Sequence, residues 1–240
     1  MAGLTALVAL TILMLTDPPP STFAQACPDV QVVFARGSGE DPGVGRTGQA
    51  FVDALRSLVG GKSLDVYPVN YAANRAWEPG LDGVRDAGAH VVSMADDCPN
   101  TQMVLGGYSQ GAAVMGFVTA AARADGIDID SATVPEAMAP AIASHVSAVV
   151  LFGMPNGHAM NFLNEPRAAV RSLYRPKSIQ LCAPRDPVCA GSGLDPSVHS
   201  GNAPDRDMVD KGASFAADHL DGLSPRPDPV VRSSRGSFAI

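Results

Sequence analysis

Gly107-Tyr108-Ser109-Gln110-Gly111 lies where an apolar run, Gln102-Met103-Val104-Leu105, gives way to a helix-forming stretch, Ala112-Ala113-Val114-Met115. The pentapeptide is a G-x-S-x-G pattern in the strand-to-helix setting that a nucleophile elbow requires. In such an elbow the serine occupies a strained turn whose backbone folds sharply on both sides. Glycines at 107 and 111 carry no Cβ to clash there, so the hydroxyl can stand clear of the sheet edge. In a chain with 24 glycines the pattern alone is weak, and its flanking elements carry the reading. Ser109 is the candidate nucleophile.

Upstream, Val30-Gln31-Val32-Val33-Phe34-Ala35 reads as a short buried strand ending in a Gly-rich loop, Arg36-Gly37-Ser38-Gly39-Glu40. Phe51, Val52, Leu55, Leu58 and Val59 then recur at helical spacing until Gly60-Gly61 stops them. Leu64-Asp65-Val66-Tyr67-Pro68-Val69 predicts a second strand whose proline sets its end near an edge or bend. Leu81, Val84, Val91, Val92 and Ala95 mark a second amphipathic helix. The helix after the elbow is expected to run to about Arg123. The all-apolar run 146–152 suits a buried parallel strand, Ser178-Ile179-Gln180-Leu181-Cys182 a last short one, and 208–220 a final helix. Strands and helices alternate without repeats, which implies a parallel sheet covered on both faces by right-handed crossovers. Residues 125–141, rich in Ala, Pro and acids, read as an insertion, and the Pro-rich tail 224–240 as disordered.

A nucleophilic serine needs a histidine to take its proton and an acid to hold that histidine's tautomer. On sheets with this elbow the chain order is Ser, then Asp or Glu, then His. His90 and His145 fall in crossover segments, and His158 follows the elbow too soon. His219 falls in the terminal helix, where a capping or solvated histidine is the ordinary role. His199, in the loop Asp195-Pro196-Ser197-Val198-His199-Ser200-Gly201, fits the order. Asp186 lies just upstream, after the last strand, and an aspartate before proline is also an ordinary turn residue. Its position in the chain order makes it the candidate orienter. An oxyanion hole needs two donors. The backbone N–H of Gln110 supplies one, and Ser38, in the loop after the first strand, is the candidate for the other.

The 240 residues suffice for one full core, and 46% hydrophobic with 17% charged residues reads as globular. Net charge is −7 with no basic cluster, which argues against nucleic acid as partner and against charge-held anionic membranes. The apolar run 4–15 is too short to span a bilayer and precedes Pro18-Pro19-Pro20 and Ala24-Gln25-Ala26. Residues 1–26 therefore read as a secretory signal peptide, although no Lys or Arg precedes the run. A lipid anchor on Cys27 is the rival reading, and Ala24-Gln25 fits a lipobox poorly. Cys27, Cys98, Cys182 and Cys189 then suggest two disulfides, with three pairings open. Zinc is disfavoured because no C-x-x-C pair exists. A local Cys182–Cys189 bond would contribute about 2.5 kcal/mol by loop entropy, and a Cys27–Cys98 bond about 4 kcal/mol.

Three blocks resemble the cutinase family, in particular the exported cutinase-like esterases of mycobacteria and their relatives. They are Val33-Phe34-Ala35-Arg36-Gly37-Ser38, Gly106-Gly107-Tyr108-Ser109-Gln110-Gly111 and Leu181-Cys182-Ala183-Pro184-Arg185-Asp186-Pro187-Val188-Cys189. The similarity covers residues 27–223. It implies the small cutinase type of α/β-hydrolase fold, with about five parallel strands flanked by helices and no large lid. It also implies Ser109, Asp186 and His199 as a catalytic triad, with Ser38 and Gln110 in the oxyanion hole. The disulfide pairs Cys27–Cys98 and Cys182–Cys189 are expected on the same ground. The chain departs from the family after His199, where Ser200-Gly201-Asn202 replaces a leucine-like residue and a nearby aromatic.

The resulting expectation is a secreted or cell-envelope serine esterase, monomeric and cofactor-free, that hydrolyses carboxylic esters of cutin-like or lipid type through an acyl-enzyme. Phospholipase, thioesterase and acetyl-carbohydrate esterase activities use the same triad and remain alternatives. A cell-envelope binding protein that has kept only the fold is the non-enzymatic one. With 5% aromatics, one tryptophan (Trp77) and no apolar helix placed as a lid, the site should be open and suited to short or medium acyl chains.

Overall fold

The protein is described here by a computed structural model covering residues 26–74, 76, 78–120, 139–162, 170, 172–191, 195–200 and 204–222. Residues 1–25 of the expected signal peptide, Trp77, the tail from 224 and most of the expected 125–141 insertion lie outside the described residues.

Five strands form one parallel sheet: β1 (Val30–Ala35), β2 (Leu64–Pro68), β3 (Gln102–Tyr108), β4 (Val146–Phe152) and β5 (Ser178–Leu181), in the order β2-β1-β3-β4-β5. The central strands are buried on both faces, which is why they read as unbroken apolar runs. The two edge strands are only partly covered and more mixed in sequence.

Strand side chains divide by the two-residue period. Val33, Leu105, Val149 and Leu151 pack under α2 (Glu78–Asp97) and α3 (Gln110–Val118). Val32, Phe34, Val104 and Val150 pack under α1 (Gly45–Leu58) and the last helix (Arg206–Asp218). Two short helices complete the described chain between these: α4 (Gly157–Phe162) and α5 (Pro196–Ser200), so the last helix is α6.

Several boundaries differ from the expected ones. The elbow helix stops at Val118, short of Arg123, and at this end the Thr119 hydroxyl donates to the Met115 and Gly116 carbonyls. Ala120 then bridges to Val170 instead of extending the helix. The final helix begins earlier than expected, at Arg206, since the Asp205 carboxylate accepts from the Met208 N–H as its N-cap. The 3₁₀ turn Pro140–His145 and helix α4 have too few residues to show a period.

Both cysteine pairs are disulfide-bonded, Cys27 to Cys98 and Cys182 to Cys189. The first ties the chain before β1 to the end of α2. The second closes the turn after β5.

Candidate active site

Ser109 lies between β3 and α3 with φ 53° and ψ −116°, a conformation that costs a non-glycine residue about 1–3 kcal/mol. Its neighbours leave no room for side chains. A Cβ on Gly107 would overlap the Gly111 carbonyl, and one on Gly111 would overlap the Ala35 carbonyl of β1. The pattern's glycines are thus sterically required. The Ser109 N–H donates to the Phe152 carbonyl at 2.9 Å, fixing the turn to the end of β4.

The Ser109 Oγ is 2.7 Å from His199 Nε2, and His199 Nδ1 is 2.7 Å from Asp186 Oδ2. Asp186 is 2% exposed. Its other oxygen accepts from the backbone N–H groups of Val188 (2.8 Å) and Cys189 (3.3 Å). The disulfide-bonded Cys189 therefore holds the carboxylate directly. Sequence order had brought Ser109, Asp186 and His199 together as candidates, and all three meet. One detail differs: His199 sits on the short helix α5, not in an irregular loop. Asp195 starts that helix, accepting from the Ser197 N–H and hydroxyl. Residues 201 and 202, where the sequence departs from the family pattern, lie outside the described residues.

The remaining histidines have other surroundings. His219 caps α6, with Nδ1 2.8 Å from the Phe215 carbonyl. His90 stacks on Tyr67 and lies 2.8 Å from Gln31. Burial holds its pKa below the ordinary value. His145 ends the 3₁₀ turn, and His158 is exposed on α4 at the edge of the cleft above Ser109.

Gln110 begins α3, where the first backbone N–H groups have no partner within the helix and the helix dipole is positive. Its side-chain amide donates to the Ala76 carbonyl at 2.9 Å and its Oε1 accepts from the Ser38 hydroxyl at 3.4 Å. That contact brings the loop after β1 to the mouth of the elbow. The loop is held by two residues that sequence reasoning passed over. Glu40 accepts from the backbone N–H groups of Gly37 (2.7 Å) and Arg46 (2.8 Å). Arg36, 6% exposed, donates to the carbonyls of Glu40 and Tyr71, and Tyr71 returns its hydroxyl to the Arg36 carbonyl. A buried guanidinium satisfied by carbonyls has no signature in a linear sequence.

A cleft of about 530 Å³ opens over Ser109 and His199. Ser38, Gln110 and Glu78 line it together with apolar Ala113, Pro155, Met160, Pro187 and Val188. Phe162, 85% exposed, stands at its rim. Half of this apolar wall comes from α4 and the turn before it, which the sequence did not single out.

A serine elbow on a central parallel strand, with an aspartate and then a histidine after the last strand, defines an α/β-hydrolase arrangement. The Cutinase family model matches residues 26–220, and the chain belongs to that family. The "Probable carboxylesterase Culp5" of Mycobacterium tuberculosis is 49% identical over 73% of this chain and 98% of its own length. "Phospholipase Culp4" of the same organism is 40% identical over 90% of this chain and 92% of its own. Among solved structures, a cutinase-like protein from Cryptococcus sp. shares the fold, with a TM-score of 0.64 at 23% identity over 83% of this chain and 98% of its own.

Proposed function

We propose that this carboxylic-ester hydrolase works through an acyl-enzyme on Ser109, with His199 as base, Asp186 as orienter, and Ser38 and the Gln110 N–H as oxyanion donors. The observation that carries the reading is the continuous line Ser109 Oγ–His199 Nε2, His199 Nδ1–Asp186 Oδ2, each step 2.7 Å. His199 takes the Ser109 proton as Oγ attacks the ester carbonyl. The tetrahedral oxyanion is met by the Gln110 N–H and by Ser38, whose hydroxyl turns to it from its long 3.4 Å contact with Gln110 Oε1. Collapse breaks the C–O bond to the alcohol, which leaves with the proton from His199. Water then attacks the acyl-enzyme through the same base, releasing the acid and restoring the Ser109 hydroxyl. Every proton passes through His199, so the cycle calls for no cofactor.

The substrate proposed is an ester with a short to medium acyl chain. Each buried methylene contributes about 0.8 kcal/mol, or roughly fourfold in kcat/KM, until the chain outgrows the cleft. Across p-nitrophenyl esters from acetate to palmitate, kcat/KM should rise over the short members and then flatten or fall. A steady climb to palmitate, with a jump when the substrate forms micelles, would contradict this. That outcome would favour the phospholipase or lipase reading, to which exposed Phe162 at the cleft rim lends support. Two disulfides suit an oxidising compartment, and the proposed location is outside the cytoplasm, secreted or in the cell envelope. Among the described residues no helix is long and apolar enough to cross a membrane. A monomer acting on an ester, with no nucleic-acid partner, completes the proposal.

The Cys182–Cys189 bond is proposed to serve the site as well as the fold. Replacing both cysteines with serine should cost roughly 2.5 kcal/mol of stability by loop entropy. It should also lower kcat by about tenfold or more where the protein remains folded, because the Cys189 N–H bond to Asp186 loosens. Full activity in the folded double variant would show that the carboxylate is held well enough without the staple.

A further inference from the structure

We propose that Tyr108, the residue before the elbow serine, is a positioning residue that holds His199 in line with Ser109 by its hydroxyl and its ring together. The proposal rests on His199 as base and adds to that reading a residue that never touches substrate.

The Tyr108 hydroxyl donates to the backbone carbonyl of His199 itself, ninety-one residues along the chain. The Tyr108 ring lies 5.5 Å from the imidazole, centroid to centroid, with 19° between the planes. One side chain thus fixes both the backbone that carries the base and the plane in which the base can turn. A ring face at this distance also favours the imidazolium that His199 becomes during turnover.

The surroundings leave room for this arrangement and little else. Gly153, after β4, has φ 56°, and a Cβ there would lie 3.1 Å from His199 Cε1 and 3.2 Å from Tyr108 Cε2. A Cβ on Gly37, in the Ser38 loop, would lie 2.8 Å from Tyr108 Cδ1. The Tyr108 ring is therefore wedged between the Ser38 loop and the end of β4 while it faces His199. Its hydroxyl is pushed up to about 12, chiefly by burial and then by the nearby Asp186 and Glu40 carboxylates, so it stays protonated and able to donate over the working pH range. Helix α5, which carries His199, has only five residues, too few to hold an orientation by its own hydrogen bonds.

The test is a double-mutant cycle on the full chain with p-nitrophenyl butyrate. Tyr108→Phe keeps the ring and removes the donor. It should lower kcat roughly tenfold with KM within about twofold, and the melting temperature should fall by only a few degrees. In a His199→Ala background the same substitution should cost nothing further, since a residue acting through the base has no effect once the base is gone. Tyr108→4-fluorophenylalanine, close to tyrosine in size but unable to donate, should match the Phe variant and carries the test should Phe fold poorly. Wild-type kcat in either variant would overturn the proposal, as would an equal loss with and without His199. A His199→Ala enzyme with wild-type turnover would instead overturn the assignment of the base, which is a separate result.

Discussion

Ser109→Ala should lower ester turnover by roughly five to six orders of magnitude, to the residue left by binding and the oxyanion donors alone. The substitution removes the proposed attacking oxygen, which stands 2.7 Å from His199 Nε2. Alanine accepts the positive φ about as poorly as serine, so the turn's strain is unchanged and the melting temperature should stay within a few degrees. Initial rates on p-nitrophenyl butyrate, with circular dichroism to verify the fold, measure both quantities. Turnover above a tenth of wild type would remove Ser109 from the chemistry.

His199→Ala should lose nearly as much as Ser109→Ala, and combining the two should lose little more, because base and nucleophile act as one unit. His219→Ala should keep turnover within about twofold of wild type. Its contacts with the Phe215 carbonyl and ring belong to the end of α6. The pair of variants separates the two histidines that chain order alone left open. An inactive His219→Ala beside an active His199→Ala would invert the assignment.

The elbow was legible in the sequence because its constraint is local. Gly107 and Gly111 are required by backbone atoms within a few residues of Ser109 or on the adjoining strand, so the requirement is written into five consecutive letters. The central strands were legible for a related reason: burial on both faces forces apolar residues at every position. Asp186 and His199 could be found only through chain order, since nothing in their own neighbourhoods distinguishes a catalytic Asp-Pro turn from an ordinary one. What stayed hidden depends on contacts between distant segments. The Arg36 guanidinium is defined by carbonyls at Glu40 and Tyr71, and the Tyr108 hydroxyl by a carbonyl at position 199. Helix α4, which supplies much of the cleft's apolar wall, is six residues long and shows no period. Tyr108 was in plain view inside the motif, and only the folded chain gives its ring a neighbour.

If Ser109 is the activated nucleophile proposed above, it should react covalently with an electrophile that unactivated serines ignore. Incubation with a fluorophosphonate should add one phosphonyl group per chain, seen as a single intact-mass shift with loss of fluoride. Peptide mapping should place that group on Ser109, and Ser109→Ala and His199→Ala should leave the mass unchanged on the same timescale. An unlabelled wild-type chain, or an adduct on any other residue, would show that Ser109 is not the activated nucleophile.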